Sequence, residues 1–227
     1  GFHCFAVDDF QEDWHTDEVR AKLFEFADQM GITVHAQSDG DYSIPFAEPF
    51  DVVTLFDVIE HLHGSPIDIL NAAGNVLKDE GLLPVAMPSS VTLRKRLSVL
   101  AGKSNYPDAM FVFHHPEPYR SHVREYTLPE TRQILVAAGF EIVAETYYHP
   151  WAGKKLKSSL SILAYRTICH FIPSLSEAYM VLAQKPHGWV EAKRDGLKYA
   201  SLRRRTGSAL TLVTKMAQLE HTHQTPE

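Results

Sequence analysis

The chain reads as an α/β fold, a mostly parallel β-sheet with helices on both faces. Three observations predict it. Short apolar runs of strand length alternate with segments of helical periodicity along the 227 residues. The clearest run, Val52-Val53 and Leu55-Phe56, stops abruptly at Asp57, Glu60 and His61. That is how a buried strand delivers its chain to a sheet edge, and in open α/β sheets the ligand crevice lies outside the carboxyl ends of the strands. Finally, 44% hydrophobic and 22% charged residues suit one substantial globular core.

Each element follows from local pattern. Phe2 to Val7 is an apolar strand stopped by Asp8-Asp9. Thr16 to Met30 has helical spacing, with Val19, Leu23, Phe26 and Ala27 on one face and Gly31 as a C-terminal stop. Ile32 to Gln37 alternates as a strand, and a polar loop leads to Ile44-Pro45-Phe46. After the strand over Phe50 to Phe56, Ile67 to Leu77 is a helix with Ile69, Leu70, Ala73 and Leu77 inward. Leu82 to Met87 is a strand whose Pro84 removes a ladder donor, which predicts a strand start or a bulge there. Thr127-Leu128-Pro129-Glu130 opens a helix with a capping box, and Gly139 ends it after Ala138. Glu141 to Tyr148 is a strand, Leu156 to His170 a helix, and Glu177 to Gln184 a final strand.

A net charge of −6 with 13 histidines implies no general affinity for nucleic acid. DNA is excluded as a partner and RNA is not expected. Cys4 and Cys169 make no disulfide framework, so a reducing, cytoplasmic setting is the expectation. No apolar run reaches the roughly 18 residues of a spanning helix, and no signal peptide is read.

Four strings carry a resemblance. Phe50-Asp51-Val52-Val53 with Asp57-Val58-Ile59-Glu60-His61-Leu62 resembles the fourth strand of class I S-adenosylmethionine-dependent methyltransferases. Val76 to Leu83 and Met87-Pro88-Ser89 resemble that family's approach to and exit from strand five. His122-Val123-Arg124-Glu125-Tyr126-Thr127, followed by Ala138-Gly139-Phe140, resembles its "H-x-R-x-[FY]-[TS] … aGF" block. The resemblance covers roughly residues 2 to 186 and implies a Rossmann-like, seven-stranded sheet in the order 3-2-1-4-5-7-6 with its last strand antiparallel. The family's first strand and glycine-rich E-x-G-x-G loop are absent from this chain, so about 40–60 further N-terminal residues are expected. The expected organisation is a methyltransferase core over 1–186, with a lid-like insert at 90–121, and a helical tail over 187–227.

The resemblance implies S-adenosylmethionine as cofactor and places residues around it. Asp8, with Asp9 as fallback, accepts hydrogen bonds from the ribose hydroxyls. Asp39 or Asp41 holds the adenine amino group, though both also suit a polar turn. Phe56 and Asp57 lie beside the methionine part, with core packing as the other reading of Phe56. Glu60 and His61 line the crevice wall, where His61 serves as a general base or as a structural partner of Glu60. His122, Arg124 and Tyr126 alternate along an extended segment, so they share one side facing the acceptor or else anchor the insert. The insert's Arg94, Lys95, Arg96 and Lys103 with Tyr106, Phe111, Phe113 and Tyr119 could clamp a phosphate- or sugar-bearing acceptor.

The expected activity is direct methyl transfer to an oxygen or nitrogen of a small polar metabolite or a glycan or lipid precursor, with His61 or His122 accepting the proton. Expected partners are a small-molecule acceptor and, for assembly, a second copy in a homodimer. Three rivals stand beside it. Asp57-x-x-Glu60-His61 with the distant His122 resembles the metal ligands of small-RNA 2′-O-methyltransferases. A non-catalytic methyltransferase-like binding module follows from the absent glycine loop. A nicotinamide-dependent reductase shares the sheet type but lacks a tyrosine–lysine pair. Arg203-Arg204-Arg205 reads as a solvated or partner-facing helix.

Overall fold

The computed structural model describes residues 1–11, 15–37, 42–46, 49–116, 119–150 and 159–195. Asp39, Asp41 and the Arg203-Arg204-Arg205 run lie outside them, as does most of the expected tail. One compact unit spans Gly1–Ala192 and a second comprises Lys193–Glu227.

The α/β reading holds, but the described strands divide between two sheets. In the first, β1 (Cys4–Asp8) pairs in parallel with β2 (Ile32–Ala36) after helix α1 (Asp17–Gln29). The second has the order β3-β5-β7-β6, with β4 also on β5. Here β3 is Phe50–Val52, β4 Leu55–Phe56, β5 Leu77–Pro88, β6 Glu141–Tyr148 and β7 Ala178–Gln184. Strands β3 and β4 run parallel to β5, and β7 runs antiparallel to both β5 and β6. The connecting helices are α2 (Pro66–Val76), α3 (Leu93–Leu100), α4 (Ala109–His114), α5 (Leu128–Ala137) and α6 (Ser159–Phe171). Aromatic rings link the two sheets: Phe5 of β1 meets Phe50 of β3 edge-on, centroids 5.3 Å apart, and Phe46 at 4.7 Å.

The core belongs to the larger sheet. Leu83, Val85 and Met87 of β5 and Tyr179, Val181 and Ala183 of β7 are fully buried and share one core with Leu70 and Ala73 of α2 and Leu135 of α5. Trp189 closes this core from beyond Pro186. Its indole Nε1 donates to the Ala138 carbonyl at 2.8 Å, and its ring fills the space that a Cβ on Gly74 or Gly139 would occupy. Helix α5 has its predicted capping box: Thr127 Oγ1 accepts from the Glu130 amide and Glu130 Oε2 from the Thr127 amide.

Two expectations need correction. Pro84 sits inside a continuous β5, paired in register with Leu182, so it marks neither a start nor a bulge against β7. The Leu82 and Ala86 carbonyls accept from Val53 and Asp57, so the even-numbered residues of β5 face β3 and β4. The donor that Pro84 lacks belongs on that side, and there the expected single strand breaks at Val53-Thr54 into β3 and β4. On α1, only Ala27 of the expected inward residues is buried, while Leu23 and Phe26 are exposed. A two-stranded sheet offers too narrow a surface to cover the whole apolar stripe.

Candidate active site at the carboxyl edge

The carboxyl ends of the strands hold the titratable cluster. Past β1, Asp8 Oδ1 accepts from the Phe10 amide at 2.6 Å, and Asp9 Oδ1 accepts from that of Gln11 at 3.0 Å. Asp9 Oδ2 pairs with Arg120 at 2.6 Å. Past β4, the Asp57 amide donates to Ala86 at 2.9 Å, and Ile59–His61 form one 3-10 turn. Phe10 and Asp57 both adopt left-handed backbone, φ 52° and 53°. Such conformations cost about 1–3 kcal/mol in non-glycine residues and gather at functional edges.

The turn aims Glu60 inward and His61 sideways. Glu60 is wholly buried, and its backbone carbonyl accepts from the amides of Val123 and Arg124 at 2.8 and 3.1 Å. Those bonds fix the segment carrying His122, whose ring stands 4.8 Å from that of His61 at 88°. His122 Nδ1 lies 2.8 Å from Glu125 Oε1. Glu125 Oε2 pairs with Lys95, which also donates to the Ser89 carbonyl at the end of β5. Because Arg120 is two residues from His122, the Asp9–Arg120 pair joins the tip of β1 to this cluster. Acidic tips from both sheets therefore meet on one side of the fold.

Burial dominates the electrostatics. It pushes the Glu60 carboxyl from 4.5 up to about 7; its own backbone N–H opposes the rise and the neighbouring Asp57 carboxyl adds to it. Burial also lowers His122 from 6.5 to about 4, helped by His61 and by the Lys95 charge. His122 is thus neutral at pH 7. With Nδ1–H donated to Glu125, its lone pair sits on Nε2. Burial raises the Tyr148 phenol at the end of β6, with Asp57 and Glu60 adding to the effect.

The structure gathers Asp9, Glu60, His61 and His122 and sets other expected residues apart. The alternation expected for His122, Arg124 and Tyr126 does not put them on one face. Arg124 is exposed, bonds Glu130 at 3.3 Å and stacks over the Tyr126 ring at 4.7 Å. Tyr126 is buried and bridges Ser89 through its backbone. Phe56 is 48% exposed, which removes its core reading and leaves an apolar surface at the rim. Asp57 is exposed, and only the other three residues of the expected metal set bring ligand atoms together. The insert's Lys95 and Arg96 bond to Glu125, Val91 and Ser174 within the protein. Sequence reasoning missed Glu125, Lys95 as its partner, and Arg120. Glu125, three residues after His122, carried a local signal; the Asp9–Arg120 pair spans 111 residues and carried none.

A family described as a methyltransferase domain matches residues 1–145. The chain belongs to this family. The class I S-adenosylmethionine-dependent methyltransferase reading is thereby borne out, and the fold agrees. An S-adenosylmethionine-dependent methyltransferase from Mesorhizobium loti superposes with a TM-score of 0.50 at 13% identity, over 82% of this chain and 92% of that one. A methyltransferase of Bacillus halodurans gives 0.47 at 17% identity, over 81% and 93%. An O-methyltransferase family 2 protein from Planctomyces limnophilus, solved with apigenin, gives 0.44 at 18% identity. The chain covers 43% of that protein's length, less than half. No curated protein matches the chain. No helix among the described residues is long and apolar enough to cross a membrane.

Proposed function

We propose that this methyltransferase moves the methyl group of S-adenosylmethionine to an oxygen or nitrogen of a small polar metabolite or a glycan or lipid precursor. The observation that carries the reading is the meeting of the β1 tip, the Glu60–His61 turn and His122 at one edge, joined by the Asp9–Arg120 pair. The donor set fits the cofactor. Asp8 is an exposed carboxylate at a strand tip, suited to a ribose diol, and it takes precedence over Asp9, which is committed to Arg120. Phe56 offers an exposed apolar face and Asp57 a carboxylate for an ammonium group. When bound, the cofactor supplies an electrophilic methyl group on a sulfonium.

This chain's residues do the rest. They align the acceptor in line with the methyl group and exclude water, and direct transfer requires no nucleophilic side chain. His122 Nε2 takes the acceptor's proton while Glu125 holds the ring, and His61 flanks it.

Turnover is tested by following S-adenosylhomocysteine released with hydroxylated metabolites, amines, sugar nucleotides and lipid-linked sugars. We expect release with at least one class and a loss of about 10²-fold or more in His122→Ala. Cofactor binding without release on any of these acceptors contradicts the reading.

A further inference from the structure

We propose that the end of helix α6 and the insert carrying α3 and α4 form one docking surface for an anionic lipid bilayer. On α6, Cys169 is buried, and the Tyr165 hydroxyl, four residues earlier, donates to the Leu175 carbonyl at 3.3 Å. These two set the inward face. Leu163 and Phe171, followed by Ile172, turn outward. In the insert, Leu100, Tyr106 and Phe113 are open too; these three, Leu163 and Phe171 are each at least 62% exposed.

Arg96 brings the two parts together. Its guanidinium donates to the Ser174 hydroxyl at 3.0 Å. Leu100 lies one turn after Arg96 on the same face of α3, and Phe171 and Ile172 lie three and two residues before Ser174. Apolar side chains exposed singly need no occupant, but a group drawn to one edge does. The charge says which occupant. The chain carries −6 overall, yet none of its 28 acidic residues falls within residues 81–107 or 146–176. Those stretches hold Arg94, Lys103 and Arg166, all exposed. Asp108, the acid inside the insert's apolar run, is committed to capping α4, accepting from the Met110 and Phe111 amides at 2.9 and 3.2 Å.

An apolar face edged by cations matches an anionic bilayer, whose phosphates take the cations while its acyl chains take the apolar groups. Tyr106 suits the boundary between them. A second copy fits less well, because a two-fold contact through this face sets Arg94, Lys103 and Arg166 against their own counterparts. Nucleic acid also fits less well, since a phosphate backbone offers nothing to Leu100, Leu163 and Ile172. No helix among the described residues can cross a membrane, so the contact lies at the bilayer surface. This surface does not rest on the methyl-transfer reading.

The test is flotation of the chain with vesicles of equal phosphatidylglycerol and phosphatidylcholine, beside vesicles of phosphatidylcholine alone. We expect partition onto the anionic vesicles to be at least about tenfold stronger and to weaken in about 0.5 M salt. Leu163→Ser with Phe171→Ser, and separately Arg94→Glu with Lys103→Glu, should each reduce it about tenfold or more. All four side chains are exposed, and circular dichroism checks that the variants fold. No partition overturns the surface, as does equal partition onto both vesicles or binding unchanged in either variant. Without vesicle binding, dimers dispersed by Phe171→Ser, or RNA retention lost in Arg94→Glu, overturn it in favour of those partners. Vesicle binding by a chain that binds no S-adenosylmethionine upholds the surface and refutes the methyl-transfer reading. Cofactor binding without vesicle binding overturns the surface alone.

Discussion

The two sheets of this protein are built from similar apolar strands and meet different fates. In the larger sheet, β7 alternates between buried and half-buried residues and the second half of β5 is almost wholly buried. In the smaller sheet, four of the five residues of β1 and three of the five of β2 are exposed. Parallel strands ordinarily lie covered on both faces. Stability is therefore concentrated in β5, β7 and the helices on them, while β1 contributes its tip, where Asp8 and Asp9 stand. The scaffold that holds Glu60, His61 and His122 belongs to the first region and the expected cofactor contact to the second.

The contrast breaks most readily by truncating one strand of each sheet. Leu83→Ala should cost about 2–5 kcal/mol, since Leu83 is fully buried and leaves a cavity. Val7→Ala, at a position 40% exposed, should stay within about 0.5 kcal/mol. Urea unfolding of both variants measures the difference; equal losses would show that the smaller sheet is as well supported as the larger.

The pH dependence of stability sharpens the same contrast, because the most perturbed carboxyl sits on the stable scaffold. Below pH 4.5 Glu60 is protonated in both folded and unfolded chains and contributes nothing. Between 4.5 and about 7 the unfolded chain releases the proton and the folded one keeps it, so stability falls as pH rises. Above about 7 the full penalty is present, about 3 kcal/mol from the rise of 4.5 to about 7. His122 works in the opposite sense. Its lowered value means stability is lost as pH falls from 6.5 towards 4. Unfolding across pH 4 to 8 should show the stability of Glu60→Gln gaining on that of the parent between pH 4.5 and about 7, where the opposite slope of His122 offsets the fall in the parent; a constant difference would mean that Glu60 does not cause it.

A smaller effect is expected at the start of α5. Thr127→Ala removes the side-chain half of the capping box, leaving the Thr127 amide on Glu130, and should cost about 1 kcal/mol, read from the thermal midpoint. A variant as stable as the parent would mean that packing of Leu128 and Leu135 alone holds this helix.

Much of this was legible in the sequence. The capping box at Thr127 and Glu130 was visible because helix starts are set by residues three apart. The polar cluster at Glu60 and His61 was visible because it interrupts an apolar run. Tyr126 was misplaced because alternation assumes a regular strand, and the segment is anchored by the Glu60 carbonyl and a single bridge to Ser89 instead. The division of the strands into two sheets and the role of Trp189 over Gly74 and Gly139 depend on contacts between distant segments. Such contacts leave no periodicity to read. Lys95 looked like part of an acceptor clamp, since nothing local announced its pairing with Glu125.

The central claim is that the acidic strand tips form a cofactor crevice. Calorimetric titration of the protein with S-adenosylmethionine and S-adenosylhomocysteine, beside Asp8→Ala, tests it most directly. The account predicts saturable binding of both at one site per chain, weakened at least about tenfold in the variant, the loss of one charge-assisted hydrogen bond. No heat with either ligand at high protein concentration, or binding indifferent to Asp8, would contradict it.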